Sequence, residues 1–180
     1  MVMARTFFDT EFTGLHQKTT IISIGLVTFG GMKFYAEFTD YDKSQVDEWI
    51  QTNVINCLRF VENSDGWKES GSDYYYVKGK TIHIVKHLKI WLSQFDGIEM
   101  WGDCLAYDWM LFCQLFGHAF NIPGNIYYIP FDICTLFKAK GIDPDTSREE
   151  FSSVCDKEQK HNALYDAIVI KSCYEKLINI

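Results

Sequence analysis

A chain of 180 residues, 47% apolar and 16% aromatic, can bury one substantial core and is too short to divide comfortably into two. Its 23% charged residues, dispersed Gly and Pro and lack of repeats exclude extensive disorder. A formal net charge of -7 argues against a protein that holds nucleic acid through overall basicity, although divalent cations held at an acidic site would reverse the field locally.

Residues 4–12 (ARTFFDTEF) and 20–28 (TIISIGLVT) are dense in aromatic and β-branched side chains, and 32–38 (MKFYAEF) alternates as a half-buried strand does. Gly30-Gly31 joins the second and third as a hairpin. Ser44 is placed to cap a helix running to about residue 56. Residues 61–80 are polar, Gly-containing and without period, and read as an irregular functional loop or insertion. From Thr81 to Phe95, the apolar residues Ile84, Val85, Leu88, Trp91, Leu92 and Phe95 recur at helical spacing. A short strand at 98–101, a helix at 108–116 stopped by Gly117, a strand at 126–129 and a helix at 132–140 ended by Gly141 follow. Residues 162–177 form the last helix, completing an α/β pattern: a mixed sheet of five strands with helices on both faces.

Arg5, Asp9 and Glu11 interrupt the apolar start, and no later run reaches spanning length, so neither a signal peptide nor a membrane anchor is expected. Cys57, Cys104, Cys113, Cys134, Cys155 and Cys173 form no CxxC pair and read as buried, reduced thiols, which suits the cytoplasm.

Asp9 and Glu11 stand two apart in a strand and so project to one side, with Phe8 and Thr10 on the other. Converging carboxylates favour Mg²⁺ or Mn²⁺ between them, while by spacing alone a solvated acidic strand end fits equally well. Asp108 opens a helix directly after a strand and the loop 102–107, where α/β sheets present ligands. A helix cap explains the same position, and Asp103 competes for the role. His161 and Asp166 are five apart, about 140° on a continuous helix, so the histidine must sit in the preceding loop or first turn to face the same centre. There it has the chemistry of a general base, and a surface histidine is the plainer alternative.

Together and in order, FFDTEFTGL, LAYDWMLF and HNALYDA resemble the three motifs of the DEDDh 3′-5′ exonuclease superfamily, which includes RNase T, oligoribonuclease and the proofreading subunit of DNA polymerase III. Phe12, in place of the usual Thr, and CQLFG after the second motif are similar to the small mycobacterial exoribonuclease branch. Tyr107-Asp108 fits the second motif, and His161 fits the histidine class, since Asn162 stands where the other class has Tyr. The usual Asn a few residues before Asp108 is missing.

The resemblance implies an RNase H-like fold over 1–180 as one exonuclease domain, and hydrolysis of RNA from its 3′ end with two Mg²⁺ or Mn²⁺ ions. It makes Asp9, Glu11, Asp108 and Asp166 the metal ligands, with Asp9 bridging, and His161 the general base. Gly14 and Leu15 would meet the terminal nucleotide, Leu15 as a wedge between bases, with Phe12 either joining them there or packing as core. RNA 3′ ends are the expected partner, and single-stranded DNA or a non-catalytic nucleic-acid-binding role are the alternatives. A homodimer is compatible with the resemblance.

His83 and His87 have zinc-compatible i, i+4 spacing but no third ligand, and read as surface helix residues. The Tyr74–Tyr76 run reads as a packing element before a base-stacking one, and Asp143-Pro144-Asp145-Thr146 as a turn feeding a helix.

Overall fold

The computed structural model describes residues 3–154, 156 and 159–180; Cys155, one of the six cysteines, lies outside them. Strand β1 (Ala4–Phe12) leads into an antiparallel meander with β2 (Ile21–Thr28) and β3 (Lys33–Phe38). The β2–β3 turn closes through Gly31 at φ 93°, a conformation that favours Gly. Strand β6 (Ile98–Gly102) lies parallel to β1, and β7 (Phe131–Asp132) parallel to β6. On the far edge, β5 (Tyr74–Gly79) runs parallel to β3 and pairs antiparallel with β4 (Lys68–Ser70). The sheet order is β4-β5-β3-β2-β1-β6-β7.

Among the described residues the sheet thus has seven strands, not five. Residues 61–80 are not irregular throughout, because the Tyr-rich run of β5 pairs along β3 and Lys68–Ser70 pairs with it as β4, which supplies two of the added strands. The run does pack: Tyr75 stacks on Phe34, and Tyr76 meets Tyr35 edge-on. The strand expected at 126–129 is absent; Ile126 makes one bridge to Ile98, and pairing resumes only at Phe131.

Helix α1 (Glu48–Asn53) is shorter than expected and is capped by Asp47, not Ser44, whose amide and hydroxyl both go to Asp42. Helices α2 (Thr81–Leu92) and α3 (Asp108–Leu115) cover one face of the sheet, where Phe8, Ile24, Leu26 and Phe34 meet Leu88, Trp91 and Phe112. The other face buries Phe7 and Val27 against α4 (Ile133–Ala139) and α6 (Ala163–Leu177), with α5 (Arg148–Ser152) packed on α6. The turn at 143–146 does feed α5, with Ser147 as its cap. His87 is a correction: it is buried, and its Nδ1 shares a 2.7 Å hydrogen bond with the Tyr75 hydroxyl, so it belongs to the core side of α2. Cys104 is likewise exposed where burial was expected. No helix among the described residues is long and apolar enough to cross a membrane.

Candidate active site

The alternation of β1 sends Phe8 into the α2–α3 core and turns Asp9 and Glu11 to the α6 face, as their spacing requires. Strand β1 outruns its neighbour β6, since their pairing ends at Phe7 and Trp101. The Thr10 amide beyond that point donates to Asp108 Oδ1 at 3.0 Å, and the Thr10 hydroxyl donates to the same oxygen. Tyr107, at the α3 cap position, makes no side-chain bond there. Asp108 therefore does not spend its carboxylate as the α3 cap; it crosses from the other helix layer to the open edge of β1.

Asp166 arrives from the first turn of α6. Asn162 caps this helix, accepting from the amides of Leu164 and Tyr165, and its Nδ2 donates to the Tyr35 hydroxyl and the Cys57 carbonyl. The helix start lies on Gly25 of β2: a Cβ there would sit 2.3 Å from the Ala163 carbonyl oxygen and the Leu164 nitrogen. Gly25 is the register partner of Asp9, so this close approach sets Asp166 over the two β1 carboxylates. His161 occupies the preceding turn at φ 64°, a left-handed conformation costly for a non-Gly residue, and its backbone amide donates to Asp166 Oδ2 at 3.1 Å.

Glu11, His161 and Asp166 offer ligand atoms within 4.8 Å of one another, and Asp9 and Asp108 line the same cavity of about 390 Å³. Burial raises Asp9 well above the ordinary carboxylate range, with Asp108, Asp166 and Glu11 adding repulsion. Burial likewise pushes Glu11 up to about 8, helped by Asp166, with which it shares a hydrogen bond. Asp166 rises to about 7 through burial and then through Glu149. Asp108 rises only to about 6, because the Thr10 bonds offset part of its burial. The His161 imidazole is lowered by burial and by neighbouring Lys160, which keeps it neutral and proton-accepting near pH 7. None of the four carboxylates forms an ion pair among the described residues. A dense set of oxygen donors without a countercharge suits a divalent cation.

All five expected residues meet at this cavity; Asp103, the rival of Asp108, lines it too but is committed elsewhere. Its carboxylate pairs with Arg148, at 2.7 Å from Nε and 3.0 Å from Nη2. Arg148, Glu149, Lys160 and Trp49 escaped sequence reading. Lys160 pairs with Glu149 at 3.4 Å, tying the His161 turn to α5, and the indole of Trp49 meets the His161 ring edge-on at 5.2 Å. Arg148, Glu149 and Trp49 arrive from distant segments, and Lys160, though next to His161, has no period to mark it.

A second, apolar cavity of about 450 Å³ shares Glu11 and Phe12 with the first and continues over Gly14, Leu15, Trp49, Ile50 and Val54. Phe12 stacks on Tyr107 at 5.4 Å, Gly14 adopts φ 146°, and Leu15 is 77% exposed.

The chain is similar to known proteins in three comparisons. A family model described as 3′-5′ exoribonuclease Rv2179c-like domain matches residues 4–178. The 3′-5′ exoribonuclease Rv2179c of Mycobacterium tuberculosis strain H37Rv and 3′-5′ exoribonuclease MT2234.1 of strain CDC 1551 are each 28% identical over 137 residues, which is 76% of this chain and 76% of theirs. Among solved structures, the Neurospora crassa Pan2 catalytic unit (protease and nuclease domain) aligns with a TM-score of 0.48 and 16% identity, over 98% of this chain and 27% of that one.

Proposed function

The chain belongs to the 3′-5′ exoribonuclease Rv2179c-like family, and from that premise we propose that it is a single-domain, RNase H-like hydrolase that removes nucleoside 5′-monophosphates from RNA 3′ ends. One observation carries the reading: the buried carboxylate of Asp108, the half-buried ones of Asp9, Glu11 and Asp166 and the half-buried imidazole of His161, drawn from β1, α3, α6 and the turn before α6, converge with no ion pair to any of the four carboxylates among the described residues.

Asp9, Glu11, Asp108 and Asp166 would hold two divalent ions, Mg²⁺ or Mn²⁺, with Asp9 central because it repels each of the other three. Bound ions of this kind stabilise charge on the attacking and leaving oxygens of a phosphodiester. The protein's own part is positioning and proton transfer. His161 accepts the proton of the attacking water, and the Trp49 edge and the Glu149–Lys160 pair hold its turn in place. The apolar cavity takes the terminal base, with Leu15 projecting as a wedge and Phe12 backed by Tyr107. The free thiols among the described cysteines suit a cytoplasmic setting.

Matched RNA and DNA oligomers with free 3′ ends test the proposal when mononucleotide release is followed in Mn²⁺. Faster release from RNA is expected, through contact with the 2′-hydroxyl. Equal or faster cleavage of DNA removes the RNA preference, and no release from either leaves a nucleic-acid-binding module.

A further inference from the structure

Beside the catalytic cavity, and unused by the chemistry above, the sulfurs of Cys104 and Cys134 lie 3.5 Å apart although the residues are 30 apart in sequence. Cys104 is exposed, in the turn after β6, at a left-handed φ of 52°. Cys134 sits in the first turn of α4, and its thiol donates to Asp103 Oδ1 at 3.0 Å. Asp103 in turn lines the catalytic cavity. We propose that Cys104 and Cys134 form a reversible thiol–disulfide site on the rim of that cavity, whose oxidation slows hydrolysis. The rate effect rests on the exonuclease reading; the disulfide itself does not.

The chemistry balances with glutathione disulfide as oxidant. The Cys104 thiolate attacks one glutathione sulfur, forming a mixed disulfide as the glutathione S–S bond breaks and the first glutathione thiolate leaves. Cys134 then attacks Cys104 Sγ while its proton passes to the Asp103 carboxylate, and the second glutathione thiolate is expelled. Two protein thiols are oxidised, one glutathione disulfide is reduced to two thiols, and the two protons released end on those thiols. Burial and the bond to Asp103 raise the Cys134 thiol well above its ordinary range, which leaves the exposed Cys104 to react first.

A zinc site at the same three residues is disfavoured. Both Asp103 oxygens are held by Arg148, whose Nη2 lies 3.2 Å from Cys134 Sγ, so a positive charge already stands where the cation would bind.

A disulfide needs the sulfurs at about 2.05 Å, so oxidation draws them together by about 1.5 Å and ends the Cys134–Asp103 bond. Cys104 lies on the short loop that leads to Tyr107 and Asp108, so the pull reaches a carboxylate of the site. Misplacement by about 1 Å costs up to roughly a hundredfold in rate. Treatment with glutathione disulfide, alkylation of remaining thiols and peptide mapping test the proposal, with Mn²⁺-dependent release from RNA measured in parallel. Expected are a linked peptide pair containing Cys104 and Cys134, a rate loss of about tenfold or more, recovery in dithiothreitol, and neither change in Cys104→Ser, whose basal rate stays normal. No linked pair, an unchanged rate in the linked protein, or shielding of both thiols from alkylation by zinc alone would overturn it. A protein inert before oxidation sinks the exonuclease reading instead, and the peptide map still judges the disulfide.

Discussion

Asp9 stands where burial and four other carboxylates, those of Asp108, Asp166, Glu11 and Asp103, all oppose its charge, so on the proposed reading it is the residue at which function and stability conflict most directly. Replacing it with Asn removes one negative charge from the centre and keeps the volume. Asp9→Asn should therefore reduce RNA hydrolysis to background while raising the melting temperature of the metal-free protein at pH 8, by about 2–4 °C for each kcal/mol of repulsion relieved. Thermal denaturation in a chelator checks this; a lower melting temperature would show that Asp9 is held by contacts stronger than the repulsion. At this scale the sequence is informative where chemistry follows local spacing. Asp9 and Glu11 face one way because strands have period two, and His161 must precede α6 because five residues cannot share a helix face with Asp166. Asp108 reads from its position as a cap before a ligand, and only its bonds to Thr10, 98 residues away, show that its carboxylate is not spent as the cap. Arg148 and Trp49 gave no signal, since their roles come from contacts with Asp103 and His161 across the chain.

Among elements, the critical contact is α6 on β2. Helix α6 brings Asp166 and the His161 turn, and it approaches only because Gly25 has no side chain. A methyl at that position meets backbone atoms that cannot rotate away, so α6 must lift. Gly25→Ala should cost about 1–3 kcal/mol of stability and most of the activity, because the shift separates Asp166 from Asp9. Denaturant unfolding together with the RNA assay decides it, and a variant with normal turnover would show that α6 tolerates displacement. Elements with a strong internal period were legible: β1, β2, β3 and α2 have the type and nearly the bounds their patterns imply. β5 and β7 were not. The Tyr-rich run of β5 sits amid polar and Gly residues and becomes a strand by pairing with β3, while β7 is two residues long and exists only because β6 offers an edge. The Asp47 cap displaced Ser44 because three-ten geometry at 43–45 uses Ser44 before the helix begins.

For the molecule as a whole, a net charge of -7 with an acidic centre links folding, metal and pH. Glu11, Asp166 and Asp108 have folded-state values near 8, 7 and 6, all above the ordinary carboxylate range. A raised carboxylate means that the folded chain keeps a proton the unfolded chain has lost. The stabilisation from these groups is therefore complete below about pH 4 and is lost as pH rises through 6 to 8 in the metal-free protein. On the proposed reading, a divalent cation would bind only the folded, deprotonated cluster and restore the balance. Mn²⁺ should accordingly raise the melting temperature more at pH 8 than at pH 5.5, where protons compete for the same oxygens, and Asp9→Asn should shrink the difference. Thermal scans with and without Mn²⁺ at the two pH values measure it. An equal shift at both would mean that the ion binds elsewhere on the acidic surface, and that these four carboxylates carry their charge without it.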